Sequence, residues 1–261
     1  MANSTDLAGT SVLVTGGSGG LGAAAVRAFH AAGAAVVIAD VAEEPSKRLA
    51  EELGERAVYA HTDVTDSASV EAALATASGL GVLRTVVVAH GGWGVAERIV
   101  DRRGNPAPLE NFEKTISLYL VGTYNVLRLG AAAMARNEPV GPDGARGAVV
   151  TTASIAAYEG QIGQAPYAAA KGAVVSLTLA AARDLAPVGV RVCCIAPGTM
   201  RTPMMETVGP EALAKFEAAV PFPSRLGDPA EYGSLAVHIA TNGYLNGETI
   251  RLDGAQRLSP R

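Results

Sequence analysis

The sequence Thr15-Gly16-Gly17-Ser18-Gly19-Gly20-Leu21-Gly22 lies between a short β-branched run and an alanine-rich segment with helical spacing. Glycine permits a tight turn from strand to helix, and it lets backbone N–H groups approach a pyrophosphate closely. A helix that begins in such a turn adds unpaired N–H donors and partial positive charge. The segment therefore predicts a dinucleotide-binding turn after the first strand.

The rest of the chain alternates between short apolar runs and segments with helical periodicity. Runs such as 12–14 and 85–88 are apolar without polar alternation, as in a parallel sheet covered on both faces. The predicted strands cover residues 11–15, 35–39, 57–60, 84–89, 147–153, 190–195 and 248–252. The predicted helices cover residues 20–32, 43–53, 67–78, 112–136, 166–185, 211–219 and 229–240. This order predicts an α/β fold: one doubly wound (Rossmann) domain over residues 1–261, with seven parallel strands and helices on both faces.

Asp40 follows the second predicted strand, 18 residues after Gly22. A carboxylate there can accept hydrogen bonds from both hydroxyls of an adenosine ribose. It also repels a 2′-phosphate, by about 4 kcal/mol per charge pair at about 4 Å and an effective dielectric constant of about 20. No lysine or arginine occurs within residues 16–21, or at Ala39 and Val41, to offset that repulsion. The sequence therefore predicts NAD(H) rather than NADP(H).

Composition and charge exclude several classes of protein. The chain has 261 residues, of which 49% are hydrophobic and 18% charged, so it can bury a large core and is not disordered. A net charge of −4 argues against a nucleic acid or an acidic membrane as partner. Residues 1–9 contain no basic region followed by an apolar stretch, and Lys171 interrupts the most apolar window, residues 165–182. We expect neither a secretory signal nor a membrane span.

Neither the cysteines nor the histidines predict a redox or metal site. Cys193 and Cys194 are adjacent, and adjacent strand residues point to opposite faces, so a disulfide between them would be strained. They indicate reduced core residues and a cytoplasmic protein. The histidines are isolated from cysteines and carboxylates at ligand spacing, so we expect no metal: His30, His61, His90 and His238.

A second group of residues predicts proton transfer. Tyr167 and Lys171 are four residues apart and share one face of a predicted helix, and Pro166 is typical of a first helical turn. Ser154 follows the predicted strand 147–153. Tyrosine titrates near about 10, so it needs a nearby cation such as the Lys171 ammonium to act as a base near neutrality. The serine hydroxyl can hold a substrate oxygen. Alone, a Tyr-x-x-x-Lys pair is common on helix surfaces, but beside a dinucleotide turn it predicts an oxidoreductase.

These motifs resemble the short-chain dehydrogenase/reductase family over nearly the whole chain. The resemblance is closest to the short-chain 3-hydroxyacyl-CoA dehydrogenases, a group also called type-10 17β-hydroxysteroid dehydrogenases. Besides the glycine turn and the Ser–Tyr–Lys set, four segments carry it: residues 152–164, 181–187, 220–232 and 245–254.

The resemblance implies an NAD-dependent homotetramer that oxidises a secondary alcohol on a fatty acyl-CoA or on a steroid. It implies substrate contacts at Ser154, Tyr167 and Gln161, adenine contacts at Asp63 and Val64, and a nicotinamide loop over residues 197–203. Together with the glycine turn, the predicted cofactor-binding residues are Gly16, Ser18, Gly19, Gly20, Leu21, Asp40, Asp63, Val64, Ala89, His90, Gly91, Tyr167, Lys171, Pro197, Gly198, Met200 and Thr202.

Two positions depart from the family pattern. The sequence Ala89-His90-Gly91-Gly92 stands where the family usually has Asn-Asn-Ala-Gly, so we expect the side-chain bonds to the neighbouring strand to be lost. Tyr119 stands where the family has the asparagine that holds a water between lysine and solvent, and Asn125 is off the same face. We therefore expect the proton exit to be rerouted or slowed.

Two loops are candidates for substrate contacts. Arg98, Arg102 and Arg103 could meet CoA phosphates, or could simply be solvated beside the acidic residues of the same loop. The region 200–222 includes Met204 and Met205 and could close over an apolar tail.

The leading hypothesis is an NAD-dependent 3-hydroxyacyl-CoA dehydrogenase. A reductase of 3-oxoacyl chains or other carbonyls, and an NAD-binding scaffold with little catalysis, stay open as alternatives.

Overall fold

The computed structural model describes residues 7–92 and 94–260, so the N-terminal interpretation over residues 1–6 lies outside the described residues. Seven parallel strands form one sheet in the order β3-β2-β1-β4-β5-β6-β7. The strands are β1 Thr10–Thr15, β2 Ala35–Asp40, β3 Ala57–His61, β4 Val82–Val88, β5 Gly147–Thr152, β6 Val190–Pro197 and β7 Thr249–Leu252. The order reverses between β1 and β4, and ligands of doubly wound sheets bind in the crevice at that point.

Helices connect the strands and cover both faces of the sheet, which confirms the predicted doubly wound fold. The single-domain assignment stays a prediction. The helices are α1 Gly20–Ala31, α2 Glu43–Leu53, α3 Ser67–Leu80, α4 Leu109–Ile116, α5 Gly122–Ala135, α6 Ala165–Leu185, α7 Pro203–Glu206, α8 Pro210–Ala218 and α9 Pro229–Thr241. Short 3₁₀ turns cover Ile155–Ala157 and Ala186–Val188. The predicted helix 112–136 was wrong in one respect: a π-helical turn, Ser117–Val121, separates α4 from α5.

The strands lack polar alternation because the sheet is buried on both faces. Leu13 of β1 packs into a core with α3, α5 and α6, whereas its neighbour Val12 packs into a second core with α1 and α9. Phe29 of α1 and Tyr232 of α9 are fully buried in that second core. The adjacent Cys193 and Cys194 are buried free thiols in β6.

The longest helix, α6, is apolar because it belongs to this packing. Among the described helices, the stretch Ala165–Val188 alone is long and apolar enough to cross a bilayer by length and composition, although Lys171 interrupts it. However, α6 contacts β6 and β5 and buries Val174 and Ala181 against the sheet. Its composition is therefore accounted for by the fold.

A buried hydrogen-bonded chain lies under the carboxyl edge of the sheet. The Thr152 hydroxyl of β5 is 2.6 Å from the Val88 carbonyl and 2.7 Å from the Tyr232 hydroxyl. A carbonyl only accepts, so Thr152 donates to Val88 and Tyr232 donates to Thr152. The chain ties α9 to the two strands that flank the crevice.

We predict that Tyr232→Phe lowers the free energy of unfolding by about 1 kcal/mol, because it removes one buried hydrogen bond and leaves no donor unpaired. Urea unfolding followed by circular dichroism checks this, with the fully exposed Tyr244→Phe as control. Equal stabilities of the two variants would contradict the prediction.

Candidate active site

The glycine-rich turn is shaped by contacts that exclude any side chain. Gly16 has φ +63°, and a Cβ built there would lie 2.5 Å from the Cα of His90. A Cβ on Gly22 would lie 2.0 Å from the carbonyl oxygen of Gly16. Gly19 is the N-cap of α1 and provides no side-chain cap, so the N–H groups of the first helical turn are available to an anion. The turn therefore fits the pyrophosphate of a dinucleotide.

A cleft of about 720 Å³ opens at the carboxyl ends of the strands. Every residue predicted to bind the cofactor lines it: Gly16, Ser18, Gly19, Gly20, Leu21, Asp40, Asp63, Val64, Ala89, His90, Gly91, Tyr167, Lys171, Pro197, Gly198, Met200 and Thr202. Ser154 lines it as well. The structure thus brings the dinucleotide turn and the predicted proton-transfer residues to one crevice.

Asp40, the last residue of β2, is already hydrogen-bonded to the turn. One carboxylate oxygen accepts from the Ser18 backbone N–H at 3.0 Å and from the Ser18 hydroxyl at 2.7 Å. The other oxygen accepts from the Ala42 N–H at 3.0 Å. A carboxylate has about four acceptor sites, so one stays open, and rotation of the Ser18 hydroxyl opens a second. The prediction that Asp40 accepts from both ribose hydroxyls therefore requires that rotation.

The residues predicted to contact adenine lie in the segment after β3. The Asp63 carboxylate accepts from the Thr65 N–H at 2.9 Å and from the Thr65 hydroxyl at 2.7 Å, and these bonds lower its pKa. The amide of Asn125 donates to the Val64 carbonyl at 2.9 Å, and its oxygen accepts from Ser67 and from Arg128. Asn125 is therefore bonded to the segment after β3 and does not replace the family asparagine near the lysine.

Three elements place the proton-transfer residues. Ser154 follows β5 and begins the 3₁₀ turn, where its hydroxyl accepts from the Ala156 N–H at 3.1 Å. Tyr167 is the third residue of α6, and the neighbouring Ser154 acts to lower its pKa. Lys171, one turn further on, is buried and donates from Nζ to the Thr152 carbonyl at 2.8 Å. Its Nζ lies 5.8 Å from the Tyr167 ring centroid.

Burial controls the protonation of this pair. It raises the pKa of Tyr167 to about 12, although the neighbouring Ser154 hydroxyl acts to lower this pKa. Burial also lowers the pKa of Lys171 to about 8. The expectation that Lys171 lowers the tyrosine pKa is therefore not met by the protein's own groups, which leave Tyr167 protonated near neutrality.

His90 corrects the expectation that the altered turn after β4 loses its side-chain bonds. Its Nε2 lies 3.1 Å from the Leu118 carbonyl, and its Nδ1 lies 2.9 Å from the Thr15 hydroxyl. Because a carbonyl only accepts, Nε2 carries the proton and Nδ1 accepts from Thr15 of β1. Burial lowers the pKa of His90 to about 4, so the ring is neutral. The histidine takes over the strand-pinning role.

Tyr119 lines the cleft from the π-helical turn, and the sequence predicted only its bulk. Its hydroxyl accepts from the Gly92 N–H at 2.9 Å and donates to the Gly92 carbonyl at 2.5 Å. Both Tyr119 and His90 therefore connect the segment after β4 to the π-helical turn.

Gln161 is not among the described residues that line the cleft. Its amide donates to the Ser259 carbonyl at 3.0 Å, near the C-terminus. Gln164 lines the cleft instead, and its buried Oε1 has no hydrogen-bond partner among the described residues. Gln164 is the N-cap of α6, and its place three residues before Tyr167 was the signal available in the sequence.

The two predicted substrate loops differ in their relation to the cleft. Met204 and Met205 of α7 line it. Arg98, Arg102 and Arg103 are exposed and are not among the described lining residues. Asp101, one of the acidic residues of that loop, accepts hydrogen bonds from the backbone N–H groups of residues 103 and 105. Among the described residues there is no group of three or more potential metal ligands.

A doubly wound sheet whose crevice joins a dinucleotide turn to a Ser–Tyr–Lys set defines a class of nicotinamide-dependent oxidoreductase. The family model for short chain dehydrogenase matches residues 10–212. The chain therefore belongs to the short-chain dehydrogenase/reductase family, whose members use NAD or NADP on small-molecule substrates.

Comparison with individual proteins shows which members of the family this chain is similar to. The chain is 45% identical over 254 residues to human 3-hydroxyacyl-CoA dehydrogenase type-2, covering 97% of each chain. It is 46% identical over 250 residues to the Drosophila melanogaster protein of that name, covering 95% of this chain and 97% of that one. A crystal structure of 3-hydroxyacyl-CoA dehydrogenase type-2 from Mycobacterium avium is 61% identical, with a TM-score of 0.95 and coverage of 97% and 98%. The predicted resemblance is confirmed.

We predict that Gly16→Ala weakens NADH binding at least about ten-fold, because the methyl group forces His90 away from the turn. Fluorescence titration with NADH measures this. Gly9→Ala is the matched control: Gly9 also has positive φ, at +76°, but a Cβ there meets nothing within 4 Å. Both variants carry the strain of about 1–2 kcal/mol, but Gly9→Ala should keep its affinity. Equal affinities in the two variants would exclude the steric argument.

Proposed function

We propose that this chain oxidises the secondary alcohol of a 3-hydroxyacyl-CoA, using NAD. The observation that carries the proposal is the joint placement of Ser154, Tyr167 and Lys171 in the cleft that holds the dinucleotide turn. The names of relatives 45% and 46% identical over nearly the whole chain support the acyl-CoA substrate. Steroid alcohols are a further substrate class of the same site.

The choice of NAD over NADP rests on Asp40. Its carboxylate lines the cleft, is bonded to Ser18 and Ala42, and forms no salt bridge among the described residues. A 2′-phosphate beside it would meet uncompensated negative charge. A preference for NAD also favours oxidation over the alternative reading as a carbonyl reductase.

The protein's own groups divide the work of alcohol oxidation. Ser154, which lines the same cleft as Tyr167, donates a hydrogen bond to the substrate oxygen and holds it next to the tyrosine. The Tyr167 oxygen takes the hydroxyl proton while the adjacent C–H bond breaks. When bound, NAD⁺ supplies the hydride acceptor and a positive charge that lowers the tyrosine pKa. Lys171, fixed by the Thr152 carbonyl, adds a cation on the same side.

Substrate recognition is proposed to use both loops outside the sheet. Met204 and Met205 offer apolar surface for an acyl chain inside the cleft. Arg98, Arg102 and Arg103 lie exposed in the segment after β4 and form no salt bridges among the described residues. Exposed guanidinium groups suit phosphates, because they offer paired donors.

A homotetramer is proposed from the apolar side chains on the outer helices. Val121 and Tyr124, in and after the π-helical turn, and Leu179 of α6 are about half exposed. Exposed apolar side chains on helices are common at subunit interfaces. A cytoplasmic location is proposed from the buried thiols of Cys193 and Cys194, which suit a reducing compartment.

We predict that Tyr167→Phe lowers kcat for 3-hydroxybutyryl-CoA about 10³-fold or more, because the proton acceptor is lost. Formation of NADH from NAD, or of NADPH from NADP, measures the turnover, and fluorescence titration should show NADH affinity nearly unchanged. Loss of both turnover and binding would assign Tyr167 a folding role. Wild-type protein that binds NADH but oxidises no alcohol in a substrate panel would support the scaffold alternative.

We predict that Arg102→Glu combined with Arg103→Glu raises KM for 3-hydroxybutyryl-CoA about ten-fold, since two attractions to phosphate become repulsions. KM for NAD should not change. Arg48→Glu combined with Arg136→Glu reverses the same charge on exposed residues of α2 and the end of α5, and it serves as control. An unchanged KM for the acyl-CoA would remove this loop from substrate binding.

A further inference from the structure

The side chain of Tyr119 stands against both members of the Tyr–Lys pair. It is 3% exposed. Its ring meets the Tyr167 ring edge to face, with centroids 5.2 Å apart and planes at 85°. The Lys171 Nζ lies 4.8 Å from the Tyr119 centroid, closer than to the Tyr167 ring. An ammonium over an aromatic face is attracted by the ring quadrupole, most strongly when it is shielded from water.

The other end of the same side chain binds the floor of the cleft. The hydroxyl accepts from the Gly92 N–H and donates to the Gly92 carbonyl, so both backbone groups of one residue are used. His90 adds a bond from the same segment to the Leu118 carbonyl, next to Tyr119. The cofactor-facing segment after β4 is therefore held to the π-helical turn at two points.

Gly91 leaves the space that the phenol occupies. A Cβ built on Gly91 would lie 3.2 Å from Cε1 of Tyr119 and 4.0 Å from its hydroxyl oxygen. Gly91 is not among the described glycines with positive φ, so this close approach, rather than backbone conformation, restricts the position. The glycine and the tyrosine are thus matched in shape.

We propose that Tyr119 is a positioning residue of this active site: its hydroxyl fixes residues 89–92 against the cofactor, and its ring holds the Lys171 ammonium beside Tyr167. The proposal goes beyond the proposed function and does not depend on the identity of the alcohol. The role differs from simple core filling, since a filler would need neither the paired bonds to Gly92 nor the cation over its face.

The two roles can be separated by two variants. Tyr119→Phe removes the bonds to Gly92 and keeps the ring over Lys171, whereas Tyr119→Leu removes both. Tyr244→Phe and Tyr244→Leu, at a fully exposed tyrosine after α9, are the matched controls. Three readouts need no turnover: hydrogen exchange of residues 90–92, the Kd for NADH, and the pH dependence of that Kd.

We expect Tyr119→Phe to speed exchange of the Gly92 amide and to raise the Kd for NADH about five-fold, with its pH dependence unchanged. Tyr119→Leu should have the same two effects. In addition, we expect NADH affinity to fall at alkaline pH when Lys171 loses its proton, and in Tyr119→Leu this fall should occur about half to one pH unit lower. The sign follows because burial already lowers the pKa of Lys171 to about 8, and loss of the ring lowers it further. The other titratable groups facing Lys171 are Tyr167, Cys194 and His90, and all three are kept in both variants.

A double-mutant cycle tests the shape match. Gly91→Ala should weaken NADH binding about five-fold in the wild-type protein and have little effect in the Tyr119→Leu background, where the space is free. If Tyr119→Leu is poorly folded, Gly91→Ala can be tested in the Tyr119→Phe background. There the ring persists, so Gly91→Ala should still weaken NADH binding.

Unchanged exchange and NADH affinity in Tyr119→Phe, or additive effects of Gly91→Ala and Tyr119→Leu, would overturn the proposal. So would equal pH dependence in the Phe and Leu variants. The failure of the proposed function is a different result: wild-type protein that oxidises no 3-hydroxyacyl-CoA leaves each of these binding and exchange measurements decisive for Tyr119.

Discussion

The buried ammonium of Lys171 is the constraint around which the rest of the site is arranged. Taking a cation out of water is costly unless other groups replace its hydration. Here no carboxylate pairs with it among the described residues; it binds the Thr152 carbonyl and lies over the Tyr119 ring. Thr152 can serve because β5 ends at the crevice, while its hydroxyl is bonded to Val88 and Tyr232 beneath. The sheet, α6 and α9 thus all contribute to the position of one charge.

The same burial sets the protonation of Tyr167 and Lys171 in the protein alone. Tyr167 and Lys171 share a dry environment that disfavours the charged form of each, raising one pKa and lowering the other. A bound group that brings positive charge would shift the phenol toward its anion. The protein's own groups keep Tyr167 in its neutral form near neutrality.

Much of this arrangement could be predicted from the sequence, since its signals are local. The glycine turn, the end of β2 at Asp40 and the i, i+4 pair on α6 follow from spacing alone, and all lie in one cleft because parallel strands end at one edge. The π-helical turn was not predicted, since a single turn of this kind lies within a longer segment that is otherwise helical. The role of His90 was missed because its partners, Thr15 and Leu118, are distant in the chain.

The two ends of the cleft are built by different physics, and this decides where variation can be tolerated. At the cofactor end, the contacts are backbone approaches and buried bonds: the turn at Gly16, the Ser18–Asp40 pair and the Tyr119–Gly92 pair. Each of these contacts tolerates shifts of only a few tenths of an ångström, so a substitution at one residue requires a matching change in its partner. At the substrate end, the candidates are exposed arginines and the methionines of α7, whose contacts are adaptable. A substitution in the loops therefore disturbs few fixed contacts, whereas in the turn after β4 the positions of His90, Gly91 and Tyr119 depend on one another.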